Sequence, residues 1–536
     1  MGVEPTTTDS KLAPLPRGEA MLRRARFAPL LAAFALSGCM VGPDYVAPPV
    51  VTPEKFKELK VNLVKGWKLA APGDSVDAGP WWRVYNDPTL DALEAQVEIS
   101  NQTVAAAAEA YEQARTLVRE AEAALFPTIT SGYNTTRQHT GRALVGGFPI
   151  SPNSSPAVAS PATAMLHGQT ATINTPRGDL VWEIDIWGKI RRQIESEVAG
   201  AQVSAADLEN AKLTAQATLA AAFFNRRAAV SLRELLNRTA QEYRKTLEIT
   251  RRQYEIGLAS AADLNAAETQ VVSTEAQAIN TGVQIAQLEH AIAKLIGKPP
   301  SELSLPPAGL VGSIPALPVA VPTTLLERRP DIAAAERMMQ QENALIGVAL
   351  AAYYPDITLT ASFGYTGFVP LPINPAHEFW SLAATAKQTI FEGGQRSAAV
   401  DSATAIYRQS VANYRETVLT AFQQVEDQLA ATRLLRQQLV AQEKAVEDAR
   451  RTVAYYLNQY RVGWVAFTAV VVAEATLFAN EQTALTTRQN LFVASVALIE
   501  ALGGGWDKSK LPTPAQAAGS ISIFPQDPAQ PPLVVQ

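Results

Sequence analysis

Few residues in this sequence have the types and spacing that covalent or metal chemistry requires. The 536 residues include one cysteine and four histidines. The histidines, His139, His167, His290 and His377, are scattered and show no metal-ligand spacing, so surface or loop positions are the favoured interpretation. No nucleophile–base pair, phosphate-binding loop or cofactor fingerprint is visible. The sequence therefore predicts no catalytic residue, no metal site, no cofactor and no enzyme activity.

The single cysteine lies where a covalent modification is expected. Residues 21–26 are basic, residues 27–36 form a short apolar run, and the segment ending at Cys39 reads LSGC. This is the order of a bacterial lipoprotein signal, whose cleavage exposes a thiol that takes a diacylglycerol. We predict lipidation of Cys39 after removal of residues 1–38, an upstream extension and signal peptide, with Met40 favouring the outer membrane. A structural cysteine behind an accidental apolar run is the alternative.

One long stretch of the sequence occurs twice and organises the rest. Tyr254–Gly297 matches Tyr460–Gly503 without a gap, at a constant offset of 206 residues. Gly257 falls on Gly463, and each copy is typical of a helix end, a turn at the glycine and a long helix ended by a second glycine. A self-match at a fixed offset predicts one structural unit used twice. In the first copy, Ser260 and Asp263 have the spacing of a capping box, which predicts a helix start.

Ahead of each copy, apolar and polar residues alternate with the period of a β-strand. The pattern predicts four strands of roughly ten residues, with a loop over about 139–178 between the first two. A polar face opposite an apolar one is typical of outer-membrane strands, although a soluble β-ribbon is the alternative. The apolar positions are Ile129 and Tyr133; Leu180, Trp182, Ile184 and Ile186; Ile357, Leu359, Ala361, Phe363 and Tyr365; Trp380, Leu382, Ala384, Ala386 and Ile390.

Four strands cannot close a barrel in a membrane. Open edges would leave unpaired backbone groups in lipid, at a cost of several kcal/mol each. If the strands cross the membrane, copies of the chain must share the barrel, with two copies giving eight strands and three giving twelve. The need to pair every backbone N–H and C=O group in the membrane thus predicts an oligomer.

The rest of the chain is predominantly helical. Each strand pair precedes a proline-free stretch long enough for a helix of roughly 100 Å. Its many alanines permit close helix packing, whereas a free coiled coil would need large residues in the core seam. A net charge of −5 without a basic run indicates no nucleic-acid partner. The predicted boundaries are 39–80, a lipidated tether; 81–297, the first repeat; 298–329, a proline-rich linker; 330–506, the second repeat; 507–536, a disordered tail.

Several stretches resemble the TolC-like outer-membrane factors, in their NodT-type lipoprotein branch. Taken together these motifs are specific, and the match covers about residues 21–506. They are Val41-Gly-Pro-Asp-Tyr45, Trp81-Trp82 with Asp87-Pro88, Trp182-Glu-Ile-Asp-Ile-Trp-Gly188, Leu325-Leu-Glu-Arg-Arg-Pro-Asp-Ile332, Ala335-Glu336, Phe391-Glu-Gly-Gly394 and Ala501-Leu-Gly-Gly-Gly-Trp506.

The resemblance implies a mainly α fold with a membrane β-barrel contribution: a trimeric α/β barrel with two repeats of helix–strand–strand–long helix–helix and four strands per protomer. It further implies the exit duct of a tripartite efflux pump. In such a pump a homotrimer in outer-membrane lipid meets a periplasmic adaptor and an inner-membrane proton-driven transporter of the RND class.

The resemblance also places the periplasmic tips, where the tunnel narrows and meets its adaptor. They would be the turns that contain Gly257, Ser260 and Asp263 in the first repeat and Gly463, Ala469 and Val472 in the second. Family members commonly carry an acidic residue near the second tip, and the aligned Ala469 and Val472 depart from that pattern. We therefore expect an apolar constriction with weak cation selectivity.

Two other functions stay open from the sequence. The same fold could serve a type I protein secretion system, although the lipoprotein signal and the NodT-like motifs favour small-molecule efflux. A structural envelope lipoprotein without a pore is an alternative of a different class.

Overall fold

A computed structural model describes residues 40–50, 52–53, 55–58, 80–140, 169–312 and 325–519. The chain is mainly helical and carries one antiparallel sheet of four strands. The helices are α1 (Pro88–Ser100), α2 (Gln102–Ala123), α3 (Lys189–Glu255), α4 (Ala261–Leu295), α5 (Leu325–Arg328), α6 (Pro330–Ala351), α7 (Gln395–Arg461), α8 (Phe467–Ala501) and α9 (Pro514–Ala518). The strands are β1 (Thr128–Thr140), β2 (Gln169–Glu183), β3 (Asp356–Tyr365) and β4 (Glu378–Lys387). In the described ranges, no helix has both the length and the apolarity needed to cross a bilayer.

The helices confirm the internal duplication. α3 and α7 contain 67 residues each, and α4 and α8 contain 35 each. Their starts and ends keep the offset of 206 found in the sequence. The two helical hairpins, α3–α4 and α7–α8, are therefore the same unit built twice. The repeat boundaries at 81–297 and 330–506 stay predictions.

The strands follow each other in the order β1-β2-β3-β4, and every neighbouring pair is antiparallel. One face of the sheet is apolar and exposed, as the alternation predicted. Its register places Ile129 opposite Leu180, Leu180 opposite Ala361, and Ala361 opposite Leu382. Phe363 and Trp380, which pair with each other, lie on the same face because residues two apart on a strand share a face. We call this side the apolar face.

The other side of the sheet is polar. Its central row pairs Thr130 with Asp179, Asp179 with Ser362, and Ser362 with Ser381. Arg177 Nε lies 2.9 Å from Asp179 Oδ2, and the Ser362 hydroxyl donates to Asp179 Oδ1 at 2.7 Å. Charged and hydroxyl groups on this side thus satisfy one another within the sheet.

Two predicted strand ends are wrong. Ile184, Ile186 and Trp187 lie beyond the end of β2, because the chain turns there so that Asp185 can accept hydrogen bonds from the first backbone N–H groups of α3, at Ile190 and Arg191. Ile390 lies beyond β4, because the ladder ends where Lys387 pairs with Asp356, the first residue of β3.

The predicted loop over 139–178 is too long. His139 belongs to β1, and residues 169–178 belong to β2, where a full ladder to β1 pairs their backbone groups despite their Thr, Pro and Gly content. The middle of that loop, 141–168, lies outside the described residues.

The first helical pattern divides at Asn101, which the sequence did not predict. The Asn101 side chain accepts hydrogen bonds from the N–H groups of Thr103 and Val104, so it caps α2 and separates that helix from α1.

The tail predicted to be disordered begins with a packed segment instead. Ala517 of α9 is fully buried in a cluster with Val118 and Ala201, and the Gln202 side chain donates to the carbonyl of Pro512 at 2.9 Å. Residues 520–536 lie outside the described residues.

The contacts divide the chain into two compact units. The first comprises Ala121–Ile194 and Ala344–Ser402, which hold the sheet, together with the described residues 40–43. The second comprises Asp44–Glu120, Glu195–Asn343 and Ala403–Gln536, which hold most of the helical residues. The main hydrophobic core belongs to the second unit. Its centre includes Leu90, Val97, Leu219, Phe223, Ile292, Ile332, Met339, Val418, Leu429 and Leu498.

Candidate functional site

The two predicted tip turns connect the helices of each hairpin by the same backbone motif. Gly257 N donates to Tyr254 O at 3.0 Å and Leu258 N to Gln253 O at 2.7 Å, which is the bond pair of a Schellman motif. Gly463 and Trp464 make the equivalent bonds in the second turn, at 3.0 and 2.9 Å. The motif requires a left-handed residue, and both glycines supply it, with φ of 75° and 77°.

The helices that leave these turns begin differently. At the start of α4, Ser260 Oγ accepts from Asp263 N and Asp263 Oδ2 accepts from Ser260 N, each at 3.1 Å, which confirms the predicted capping box. At the start of α8, the N-cap is Ala466, whose side chain makes no cap hydrogen bond. The second turn therefore has neither the cap nor the carboxylate of the first.

The two turns come together within the second unit. The Gln253 side chain donates to the carbonyl of Tyr460 at 3.1 Å, and the Tyr460 hydroxyl donates to Thr250 Oγ1 at 3.3 Å. Burial raises the pKa of Tyr460, its hydrogen bond with Thr250 lowers it, and the charge of Asp263 raises it further. A small hydrophobic cluster closes the junction; it centres on Ala267, Tyr460, Phe467 and Val470.

Ala469 and Val472 lie along a groove of about 400 Å³ between the end of α7 and the start of α8. Val472 is 65% exposed. Among the residues that the structure describes, no charged side chain lines this groove. Its other lining residues are Ala449, Thr452, Tyr456, Thr468, Ala473 and Thr476. The second turn is thus an apolar and hydroxyl-bearing surface. The role of these residues as a constriction stays a prediction.

A buried carboxylate lies just behind the turns. Glu474 is 5% exposed, and the Thr246 hydroxyl donates to its Oε1 at 2.7 Å. Among the described residues, its Oε2 has no hydrogen-bond partner. Burial raises the pKa of Glu474 to about 7; the bond from Thr246 opposes this shift, and the charge of Glu242 adds to it. The raised pKa means that the Glu474 carboxyl changes between its protonated and ionised forms near neutral pH, at the contact between α8 and α3.

The sequence analysis did not single out Glu474 as a buried carboxylate, but a comparison of the ion pairs in the two repeats could have found it. Arg244 pairs with Glu275 at 2.7 Å, and the pair recurs 206 residues later as Arg450 with Glu481 at 2.6 Å. Arg251 pairs with Glu268 at 3.0 Å. The offset maps Glu268 onto Glu474 but Arg251 onto Leu457, so Glu474 has no arginine at the matching position.

The predicted lipidation residue, Cys39, lies outside the described residues. The chain directly after it is fixed in the first unit. Val41 N donates to Trp187 O at 3.0 Å, and the buried Arg192 donates to the carbonyls of Val41 and Gly42 at 3.2 and 3.1 Å. Residues 40–42 are therefore held where β2 gives way to α3.

In the described part of the chain, no group of three or more His, Cys, Asp or Glu side chains could hold a metal ion.

Comparison with known proteins identifies this arrangement. A solved structure of the Neisseria gonorrhoeae MtrE outer membrane channel in its open state matches with a TM-score of 0.72 and 26% identity, covering 88% of this chain and 99% of that one. The toluene efflux pump outer membrane protein TtgF of Pseudomonas putida is 30% identical over 494 residues, covering 90% of this chain and 97% of that protein. Nodulation protein T of Rhizobium leguminosarum bv. trifolii is 29% identical over 503 residues, covering 91% of this chain and 98% of that protein.

The fold is that of the TolC-like outer-membrane channels, mainly helical with a small antiparallel sheet. The family model described as outer membrane efflux protein matches residues 93–298 and 321–504. The chain therefore belongs to the outer membrane efflux protein family. It is a channel-family protein, not an enzyme.

Proposed function

We propose that three copies of this chain form the exit channel of a tripartite efflux pump and conduct small molecules passively across the outer membrane. The sheet carries this proposal. Within the described residues, β1 and β4 each pair with one strand only, so the sheet has two open edges. In a membrane those edges must find partners, and pairing β4 of one copy with β1 of the next closes twelve strands.

The two faces of the sheet fit this assembly. Ile129, Trp380 and Leu382 of the apolar face are between 73% and 74% exposed. Turned outward, they would meet lipid, and the row of Thr130, Asp179, Ser362 and Ser381 would then line a water-filled interior.

The helical turns would form the periplasmic end of the channel. Large apolar side chains stand exposed there: Leu258 at 75%, Ile256 at 70%, Trp464 at 79% and Val462 at 62%. Such a patch is typical of a protein contact site, which supports docking of a periplasmic adaptor that links the channel to an inner-membrane RND transporter. The apolar groove at Ala469 and Val472 would narrow the tunnel.

We propose a lipid anchor on Cys39 as a second attachment to the membrane. The fixed position of residues 40–42 beside the end of β2 supports this role, because an acyl chain on the preceding residue would then lie near the sheet. The cargo is proposed to be small molecules, a class supported by the toluene pump named among the relatives.

Ion conductance in planar bilayers tests the channel. Purified protein in detergent is expected to insert and to produce discrete conductance steps at a constant voltage. Two neighbouring substitutions in β4 provide a matched pair. Leu382→Arg places a charge on the apolar face, which destabilises the inserted protein by about 2–4 kcal/mol per copy near the bilayer centre, so this variant should fail to insert. Ser381→Arg places the same charge on the polar face, and this variant should still conduct ions. Equal loss in both variants, or no steps from the parent protein, would contradict the proposal.

A further inference from the structure

The segment that joins β3 to β4 exposes an unusual amount of apolar surface. We call residues 366–376 the strap. They contain no Asp, Glu, Lys or Arg. Four of the strap's large side chains are mostly exposed: Phe368 at 74%, Val369 at 55%, Leu371 at 69% and Ile373 at 66%. Connections on a protein surface are usually polar, so this composition calls for a partner.

The strap is fixed to the β1–β2 hairpin through Asn174, which is 4% exposed. Asn174 and Gly367 exchange backbone hydrogen bonds at 2.8 and 3.1 Å, and Asn174 Nδ2 donates to Val369 O at 3.0 Å. Tyr133 adds a hydrogen bond to Pro370 O at 2.5 Å, and Thr135 donates to Asn174 Oδ1 at 3.0 Å. These bonds use the polar backbone groups of Gly367, Val369 and Pro370 against the hairpin. The outward surface of the strap therefore consists mainly of its exposed apolar side chains.

The register shows which face of the sheet the strap covers. Trp380 pairs with Phe363, Phe363 with Gly178, and Gly178 with Ser131. Tyr133 is two residues beyond Ser131 on the same strand, so its side chain, which holds the strap, is on the side of Trp380. The strap therefore lies on the apolar face and continues it beyond the ends of β3 and β4.

We propose that the strap is a lipid-contacting surface at the outer rim of the membrane, with its apolar side chains in the boundary between acyl chains and headgroups. This inference rests on the proposed function, in which the apolar face meets lipid. The sheet begins at Asp356, the first residue of β3, and the strap is fixed at Gly367, which pairs with Asn174. At about 3.3 Å per residue, Gly367 lies roughly 36 Å from Asp356 along the strand. A strand tilt of about 35–45° reduces this to a height of roughly 26–30 Å, which is near the end of an apolar band about 25 Å tall. Backbone groups without a protein partner can reach headgroups or water there, which the membrane centre would not allow.

Depth-dependent fluorescence quenching tests the proposal. Leu371→Cys is labelled with an environment-sensitive dye and the protein is reconstituted into phospholipid vesicles that carry a nitroxide either near the headgroup or deep in the acyl chain. The parent protein, treated identically, measures any labelling at Cys39. Leu382→Cys, on the apolar face of β4, is the membrane control. Arg137→Cys is the water control, since it lies on β1 two residues beyond Thr135.

The label at position 371 is expected to lose about half of its emission with the shallow nitroxide, because interfacial side chains enter the membrane by roughly 5–10 Å. Position 382 should respond more to the deep nitroxide, and position 137 to neither. If 382 is quenched but 371 behaves like 137, the strap lies in water and the inference fails while the channel proposal stands. Blue-shifted emission at 371 without quenching would place the strap against protein and also overturn it. Absence of quenching at 382 would remove the proposed function itself.

Discussion

At the scale of single residues, matching positions of the two repeats can share a backbone conformation and still differ in their side-chain environment. The same glycine turn occurs at Gly257 and Gly463 with nearly equal φ. Glu268 and Glu474, by contrast, occupy matching positions but differ in environment, since one pairs with Arg251 and the other is buried beside Thr246. The capping box was predictable because its partners are three residues apart. The burial of Glu474 was not, because its neighbour Thr246 is 228 residues away in the chain.

Glu474 should make the stability of the hairpin junction depend on pH. Its pKa of about 7 is above the ordinary value of 4.5, so its contribution to stability is fully present below pH 4.5 and is lost as pH rises through 7. The loss is on the order of 3 kcal/mol. Neighbouring Glu242 and Tyr243 also face this site, and the charge of Glu242 strengthens the effect. Thermal unfolding in detergent between pH 5 and 8 measures it.

Glu474→Gln is the matched variant, because an amide oxygen can still accept the hydrogen bond from Thr246. The unfolding temperature of the variant should fall less than that of the parent as pH rises over this range. A pH dependence remains in both proteins, because burial also raises the pKa of Glu94, to about 9. An unchanged pH dependence in the variant would show that other groups are responsible.

Glycines with the same conformation should differ in their tolerance of alanine. A Cβ at Gly463 would meet no atom of the described residues within 4 Å, so Gly463→Ala should cost only the strain of a positive φ, about 1–2 kcal/mol. A Cβ at Gly503 would lie 1.9 Å from Arg328 O, so Gly503→Ala should force the backbone to move and cost about 3 kcal/mol or more. Unfolding temperatures at one scan rate compare the two. If both variants unfold at the same temperature, the close approach of Gly503 to the carbonyl of Arg328 is not maintained in the protein.

At the scale of elements, the sequence predicted more than it missed. The helix lengths, the four strands and their faces followed from periodicity, proline positions and the repeat. The ends of β2 and β4 did not, because they depend on where a partner strand stops and on the use of Asp185 as a helix cap. The sequence also did not predict that residues 169–178 extend the β1–β2 hairpin, since these polar residues have the composition of a loop.

The two hairpins should differ in how firmly their second helices begin. Ser260→Ala removes the cap of α4 at a cost of about 1 kcal/mol, so amide hydrogens in its first turn should exchange faster. The first turn of α8, which has no side-chain cap at Ala466, is the internal reference. Hydrogen exchange followed by mass spectrometry reads both turns in one experiment.

The converse change installs a capping box in the second hairpin. Ala466→Ser combined with Ala469→Asp should slow exchange at the start of α8. Unchanged exchange there, or in α4 after Ser260→Ala, would contradict the role assigned to the caps.

At the scale of the whole molecule, the proposed assembly supplies contacts that one copy lacks among its described residues. Neighbouring copies would pair with the sheet edges at β1 and β4, and lipid would cover the apolar face. The fold and family were predictable because the motifs and the repeat extend over nearly the whole chain. In the proposed assembly, the charge character of the channel entrance would depend on Asp263, Ala469 and Val472, and a single copy does not reveal it.

The assembled channel should prefer cations only weakly, because the second turn supplies no carboxylate. Reversal potentials in a salt gradient across a planar bilayer measure this preference. Val472→Asp, at an exposed position by the groove, should increase it. Asp263→Asn removes one negative charge per copy at the first turn, so it should lower an already weak preference only a little. Strong cation preference in the parent, abolished by Asp263→Asn, would contradict the apolar constriction.

The most direct test of the central claim is the subunit count of the purified protein, measured by the mass of the particle in detergent. Closure of the sheet by copies of the chain predicts three chains per particle and precipitation when detergent is withdrawn. A stable single chain in detergent-free buffer, after removal of any attached lipid, would contradict it.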